Sequence, residues 1–441
     1  MALAPKMARI LEEAAAKTSN TRAANRVLSP RQTVAGPLRN AYPMIYADPT
    51  VLRAMADANN APESEWLPKI FGVTRSELQQ MSGDPARLRL AQPAVLPGMA
   101  ANPKGVGFAE QLMSPRNRRR LNDQLEALRR SKIAPGMEGW YVTDPAYQLL
   151  LEHTGGDAVR AAELFNRFNI STATMSPGSD VMTEIARGGN ANWLANQGRF
   201  GDFMVLDEMR DPDHPRMLMP DMAHIPGHAY HSTSQAPVLE AFHRQGFDPF
   251  NAPMGSPKVP PYMQASGTPW TGFQVDWPVG DAHFARGLGY ADLRAPRNPR
   301  YNKQEKRWKD PAYGESLSNP EAYTAKQFFL PIARNNDLTP VQAQGLLWGG
   351  LAPATGVDTP VGAPKLELIA NYIGESVMPR NRISDPRLAG RLFLAGEIGN
   401  ASAPALAATA AATAGGMAAY DEYKRRNRPR FLDLIAPRTQ P

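Results

Sequence analysis

Between Gly272 and Tyr290 the chain reads GFQVDWPVGDAHFARGLGY, which gathers Asp276, Asp281, His283 and Arg286 among apolar residues. A carboxylate, an imidazole and a guanidinium this close form either an active-site turn or the start of an amphipathic helix. Capping alone accounts for Asp281. A helix beginning near Ala282 has free N–H groups at its first turn, and an aspartate at that end satisfies them. The two roles are compatible, because a helix N-terminus can present its acid into a cleft.

His224, His228 and His231 lie in DMAHIPGHAYHSTS. The first two have the spacing of zinc ligands on one helical face. Pro226 and Gly227 interrupt that helix, however, and no H-E-x-x-H glutamate accompanies them. Neither a metal nor a cofactor is expected. No G-x-S-x-G elbow, Walker loop or dinucleotide fingerprint occurs, and Ser176 and Ser179 read as turn and cap residues.

Two segments have the chemistry of phosphate contact. YNKQEKRWKDPAYGES interleaves Lys303, Lys306, Arg307 and Lys309 with Tyr301, Trp308 and Tyr313, downstream of Arg294, Arg297 and Arg300. Cations on phosphates and rings against bases suit single-stranded or flipped nucleotides. The same composition also fits a solvated loop anchored by its aromatic rings. SPRNRRRLNDQLEALRRSK puts Leu121, Leu125 and Leu128 on one helical face and adds Arg129 and Arg130 to the arginines of its first turns. It reads as a solvated or a phosphate-facing helix. Nucleic-acid contact is expected at Arg116, Arg118, Arg119, Arg120, Arg300, Lys303, Lys306, Arg307, Trp308 and Lys309.

The elements that must position these residues are mainly helical. The expected architecture is an irregular, proline-punctuated helical core with an extended N-terminal arm and an Ala-rich C-terminal helix. Residues 1–135 read as a helix-dotted basic arm, 136–350 as the globular core, and 351–441 as a linker and tail. Helix starts are marked by capping boxes at Thr74 with Glu77 and at Thr339 with Gln342. Gly155 and Gly156 separate two helices, and strand signals are sparse. Residues 401–419 are uncharged, rich in Ala, Thr and Gly, and followed by KRRNRPR. Small residues favour close helix packing over a lone membrane span, and the basic end favours an anionic surface.

Composition sets the frame. The chain has 441 residues, 42 of them proline and none cysteine. Absence of cysteine excludes disulfides, thiol nucleophiles and Cys-ligated metals. The 49 Lys and Arg against 42 acids give a formal charge of +7, which permits nucleic-acid or anionic-membrane contact. Charges recur through MALAPKMARILEEAAAK, so no signal peptide is expected.

IFGVTRSELQQM, LFNRFNISTATMSPGSDV, SPKVPPYMQAS, DAHFARGLGY and LTPVQAQGLLWGG together resemble a group of tailed-bacteriophage and prophage proteins. That resemblance spans roughly residues 60–350. It implies a virion-associated protein, internal, structural or ejected, located in the virion or in the host cytoplasm during infection. Its implied partners are other virion proteins in many copies, DNA through non-specific phosphate contacts, and the host membrane through residues 401–430. A second resemblance is to the helix-hairpin-helix DNA glycosylases. In that family a lysine follows a Gly-rich hairpin and an aspartate lies in a V-D-x-H-x-x-R pattern. Here MGSPKV supplies Lys258, and VGDAHFAR supplies Val279, Asp281, His283 and Arg286. The hairpin departs from L-P-G-x-G, TPWTGFQVDWP is inserted, and the four-cysteine cluster of one branch has no counterpart. The implied activity is a glycosylase or lyase with Lys258 and Asp281 as catalytic residues. A DNA-binding module of that fold without chemistry is the third alternative.

Overall fold

A computed structural model describes residues 61–84, 112–130, 136–176, 181–198, 239, 242–244, 258–267, 278–288, 300–302, 307–309, 319–351 and 362–399. The histidines at 224, 228 and 231, Lys303, Lys306 and the Ala-rich segment lie outside these residues, as does most of the expected arm.

The described chain is mainly α. Two short helices open it, α1 (Trp66–Phe71) and α2 (Arg75–Ser82). The Thr74–Glu77 capping box forms in full, with Thr74 accepting from the Glu77 N–H and Glu77 accepting from the Thr74 N–H. The arginine-rich helix α3 (Pro115–Arg130) buries Leu121, Leu125 and Leu128, as their spacing predicts. The central pair follows: α4 (Asp144–His153) and α5 (Ala158–Met175) part at Gly155 and Gly156, both with positive φ. Helix α6 (Val181–Asn196) then packs back on α5. Gly188 makes that packing possible. A Cβ there would lie 2.5 Å from the Thr172 Cα, so the two backbones touch where RGGNAN supplies a glycine.

Next come α7 (Val259–Ala265) and α8 (Ala282–Gly287), then an antiparallel ladder of β1 (Arg300–Asn302) with β2 (Arg307–Lys309) in which Tyr301 faces Trp308. Helix α9 (Asn319–Asn335) carries Pro331 in its interior, and α10 (Pro340–Leu351) starts at the Thr339–Gln342 box. The C-terminal group is α11 (Lys365–Tyr372), a π-helical turn at Ile373–Val377, α12 (Met378–Asn381) and α13 (Pro386–Leu394).

One hydrophobic cluster runs from Leu67 in α1 to Ala395 after α13. The described parts of the expected arm and tail are therefore walls of the core. Helix α1 packs on α11 and α13, and α3 packs on α9 and α10. The join is polar as well as apolar. Arg75 forks onto Glu367, its Nε donating to Oε2 at 2.7 Å and its terminal nitrogen pairing with Oε1, with both residues buried. The physical reason is plain: the Leu67, Ile70 and Phe71 stripe is too apolar to be left in solvent, and α11 and α13 supply the surface that covers it.

Candidate functional site

Helix α7 is buried along its whole length, from Val259 to Ala265. Two prolines in its first turn fix its start without needing N–H partners. Asn169 of α5 donates to the Met263 carbonyl at 2.9 Å, and Thr143 donates to the Ser266 carbonyl at 2.6 Å, so the C-terminal half of the helix is pinned. Lys258 is its N-cap residue, half-buried, and its ammonium donates to the Ser176 carbonyl at 3.2 Å. The same ammonium lies 6.0 Å from the centroid of the Tyr262 ring.

Tyr262 is the hub. Its hydroxyl donates to Glu184 Oε1 of α6 at 2.7 Å. Lys365, the first residue of α11, places its ammonium 3.2 Å from the same oxygen and 4.2 Å from the Tyr262 ring centroid. Tyr141 meets Tyr262 edge to face at 6.1 Å. Glu184 is 3% exposed and Lys365 is 1% exposed. Burial pushes both tyrosine hydroxyls well above their ordinary range, and the Glu184 and Asp281 carboxylates add to it. Burial lowers Lys365, while the Glu184 carboxylate opposes that shift.

Asp281, the residue before α8, is half-buried. Its carboxylate acts on Tyr141, on Tyr262 and on Lys326 of α9. Oδ1 accepts from the Phe284 N–H at 2.7 Å, so the capping role expected of it is real. Two residues upstream, Gln344 of α10 clamps Val279, accepting from its N–H at 2.6 Å and donating to its carbonyl at 2.9 Å. One side chain thus engages both the N–H and the carbonyl of Val279, on the backbone leading into Asp281.

Of the two expected catalytic residues, Lys258 places its ammonium 6.0 Å from the Tyr262 ring centroid, and the Asp281 charge adds to the burial that raises the Tyr262 hydroxyl. Sequence reasoning missed Glu184, Tyr262, Lys326, Gln344 and Lys365. Lys326 carried a signal, because it stands among Ala322, Ala325 and Phe329 on a buried helical face where a charge needs a reason. The side chains of His283 and Arg286 lie outside the described residues. Among the described residues, no group of three His, Asp or Glu is placed to hold a metal ion.

The expected nucleic-acid residues divide. Arg116, Arg118 and Arg119 are exposed on α3, and Arg118 lies over the Phe328 ring at 5.6 Å. Arg120 is a correction. It is 4% exposed, donates to Asn117 Oδ1 and Gln124 Oε1 at 2.9 Å, and reaches the Gly287 carbonyl at 3.3 Å. It faces α8 because it shares the leucine side of α3, and a cation there complements the carbonyl end of that helix. Asn117 adds a bond to the Leu288 carbonyl at 3.1 Å. Arg300, Arg307, Trp308 and Lys309 form the ladder through their backbones; their side chains lie outside the described residues.

Comparison of the chain with protein-family models, curated proteins and solved structures returns no match.

Proposed function

We propose that the chain is a nucleic-acid enzyme of glycosylase or lyase type, with Lys258 as amine nucleophile and Asp281 as the carboxylate that stabilises the sugar cation. What supports this reading is that the Lys258 ammonium lies 6.0 Å from the Tyr262 ring and the Asp281 charge acts on the same tyrosine, beside the buried Glu184 and Lys365. Titratable groups perturbed by burial and charge partners cluster at functional sites. In the reaction, the Lys258 ammonium first gives a proton to solvent, and the neutral amine then forms a bond to C1′ as the C1′–N bond to the base breaks. The base leaves with the bonding pair and takes up a proton, and the attacking nitrogen loses one. Ring opening then gives an imine, with O4′ protonated.

Helix α3 supplies the grip on the backbone. Its first turns are fastened to the carbonyl end of α8, and Asp281 lies at the opposite end of that helix. A helix of six residues is about 9 Å long, and α3 meets its far end, so the exposed Arg116 and Arg119 of α3 are the residues proposed to grip flanking phosphates. Phosphate contact there is non-specific and salt-dependent.

Borohydride reduction tests this reading. Hydride adds to the imine carbon and leaves a stable secondary amine between protein and DNA. A covalent complex on a duplex with one abasic site, lost in Lys258→Ala, supports the assignment; no complex at any protein concentration removes it.

The proposed setting is a tailed bacteriophage, with other virion proteins and DNA as companions, on the strength of the sequence resemblance. Mass spectrometry of purified particles tests the setting separately. Many copies per particle support it, and absence from particles removes it.

A further inference from the structure

A cavity of about 480 Å³ opens on the flank of α5, and none of the residues grouped around Tyr262 lines it. That volume suits a small molecule, for which sites run from about 300 to 1,000 Å³. Arg160 and Arg167 of α5 form its basic wall. Glu163 lies between them on the same helical face, three residues from one and four from the other. It bridges the pair: Arg160 Nη1 donates to Oε2 at 2.5 Å, and Arg167 Nη2 is 2.7 Å from Oε1. One carboxylate thus holds two guanidiniums side by side and offsets one of their two charges. Glu163 itself does not line the cavity, whereas both arginines do. Beyond the bridge, Arg167 gives one N–H to Asn196 Oδ1 at 3.4 Å. The other donors of both side chains meet no acceptor among the described residues.

The rest of the lining is rich in acceptors. Glu397 lines it, bonded to His153 at 2.9 Å, and so do the last residues of α4 and α6 and the first residue after α13. Helix carbonyl ends attract cations, but they do not account for these arginines. The Leu394 and Ala395 carbonyls at the end of α13 are taken by Asn192 at 3.1 Å and Asn196 at 2.7 Å. Among the described residues, the printed partners of Arg160 and Arg167 are side chains, with no backbone carbonyl among them.

We propose that this cavity binds a phosphomonoester of a hydroxylated compound, a sugar phosphate or a nucleotide. Two guanidiniums with N–H groups to spare match the several acceptor oxygens of a tetrahedral phosphate. A phosphate alone would fill only a small part of the volume. The organic part occupies the remainder, where Glu397 and the helix ends accept from its hydroxyl groups. The site goes beyond the glycosylase-type reading and does not depend on it.

Calorimetric titration of the full chain with ribose 5-phosphate tests the site, with inorganic phosphate and ribose as comparison probes. Saturable binding of ribose 5-phosphate is expected, tighter than that of inorganic phosphate and absent for ribose. Arg160→Gln and Arg167→Gln should each weaken it about tenfold or more, while Arg130→Gln on α3, which removes the same charge elsewhere, leaves it unchanged. Arg160 is exposed, so its variant carries the test if Arg167→Gln does not fold. No saturation by about 1 mM, an equal loss in Arg130→Gln, or inorganic phosphate binding as tightly as ribose 5-phosphate overturns the proposal. A DNA strand with a 5′-phosphate, compared with the same strand ending in a 5′-hydroxyl, identifies the source. A preference for the phosphate that Arg160→Gln removes assigns the site to strand ends; no preference assigns it to the free phosphomonoester.

Discussion

The Tyr262 hydroxyl donates to Glu184 at 2.7 Å, joining the buried helix α7 to α6 at the point where Lys365 also arrives. Three elements thus share one carboxylate oxygen. Removing the hydroxyl takes a hydrogen bond from a buried charge without opening a large cavity. Tyr262→Phe is expected to cost about 1–3 kcal/mol in urea unfolding. A change within the scatter of neutral surface substitutions, about 0.5 kcal/mol, would mean that the carboxylate is held by Lys365 alone.

Arg75 and Glu367 tie the first described segment to the last, and both are buried. Breaking such a pair leaves one uncompensated charge in the core. Arg75→Met or Glu367→Gln is expected to destabilise by about 3–5 kcal/mol. Double replacement by apolar residues of similar volume should recover much of that loss. Equal losses in the single and double variants would show that the fork contributes through packing only.

How much of this was legible in the sequence follows from where the information sits. The Thr74–Glu77 and Thr339–Gln342 boxes and the Gly155–Gly156 stop are local, and each forms as read. Asp281 could be placed at a helix start because its N–H partner is three residues away. What stayed hidden is pairing across long separations. The Arg75 partner lies 292 positions along the chain. No local pattern announces that α1 and α2 belong to the core or that Glu184 and Lys365 meet. Arg120 shows a different failure. In the run NRRR the four-residue step to Gln124 and the leucine phase put it inward, and composition alone could not separate it from Arg119.

Acid should find a specific weak point at His243. Burial, and then the Arg167 charge, push it from 6.5 to about 3 in the folded chain, and its ring nitrogen is 3.1 Å from Ser171 Oγ. The unfolded chain takes up a proton near pH 6.5 and the folded chain only near pH 3. Its contribution is therefore fully present above pH 6.5 and is lost as pH falls toward 3, with a slope of at most about 1.4 kcal/mol per pH unit. His243→Gln should flatten stability against pH within this window. An unchanged slope would place the acid sensitivity elsewhere.

The exposed and buried arginines of α3 should separate cleanly in a salt titration of DNA binding. Replacing Arg116, Arg118 and Arg119 with Ala should lower the log–log slope by about 2–3, at about 0.9 per lost phosphate contact on duplex DNA. Arg120→Ala should leave the slope unchanged and cost about 1–3 kcal/mol of stability, since it strips partners from buried groups around Gly287 and Gln124. A slope near zero in the unaltered protein would remove DNA contact through this helix.

The most direct measurement is the site of covalent attachment. The protein is incubated with a duplex holding one abasic site, reduced with borohydride, digested, and the modified residue read by mass spectrometry. The adduct is expected on Lys258, with the yield falling sharply in Asp281→Asn while DNA affinity is kept. Attachment to any other lysine, or no attachment under conditions where the duplex is bound, would contradict the assignment of this cluster as a catalytic site.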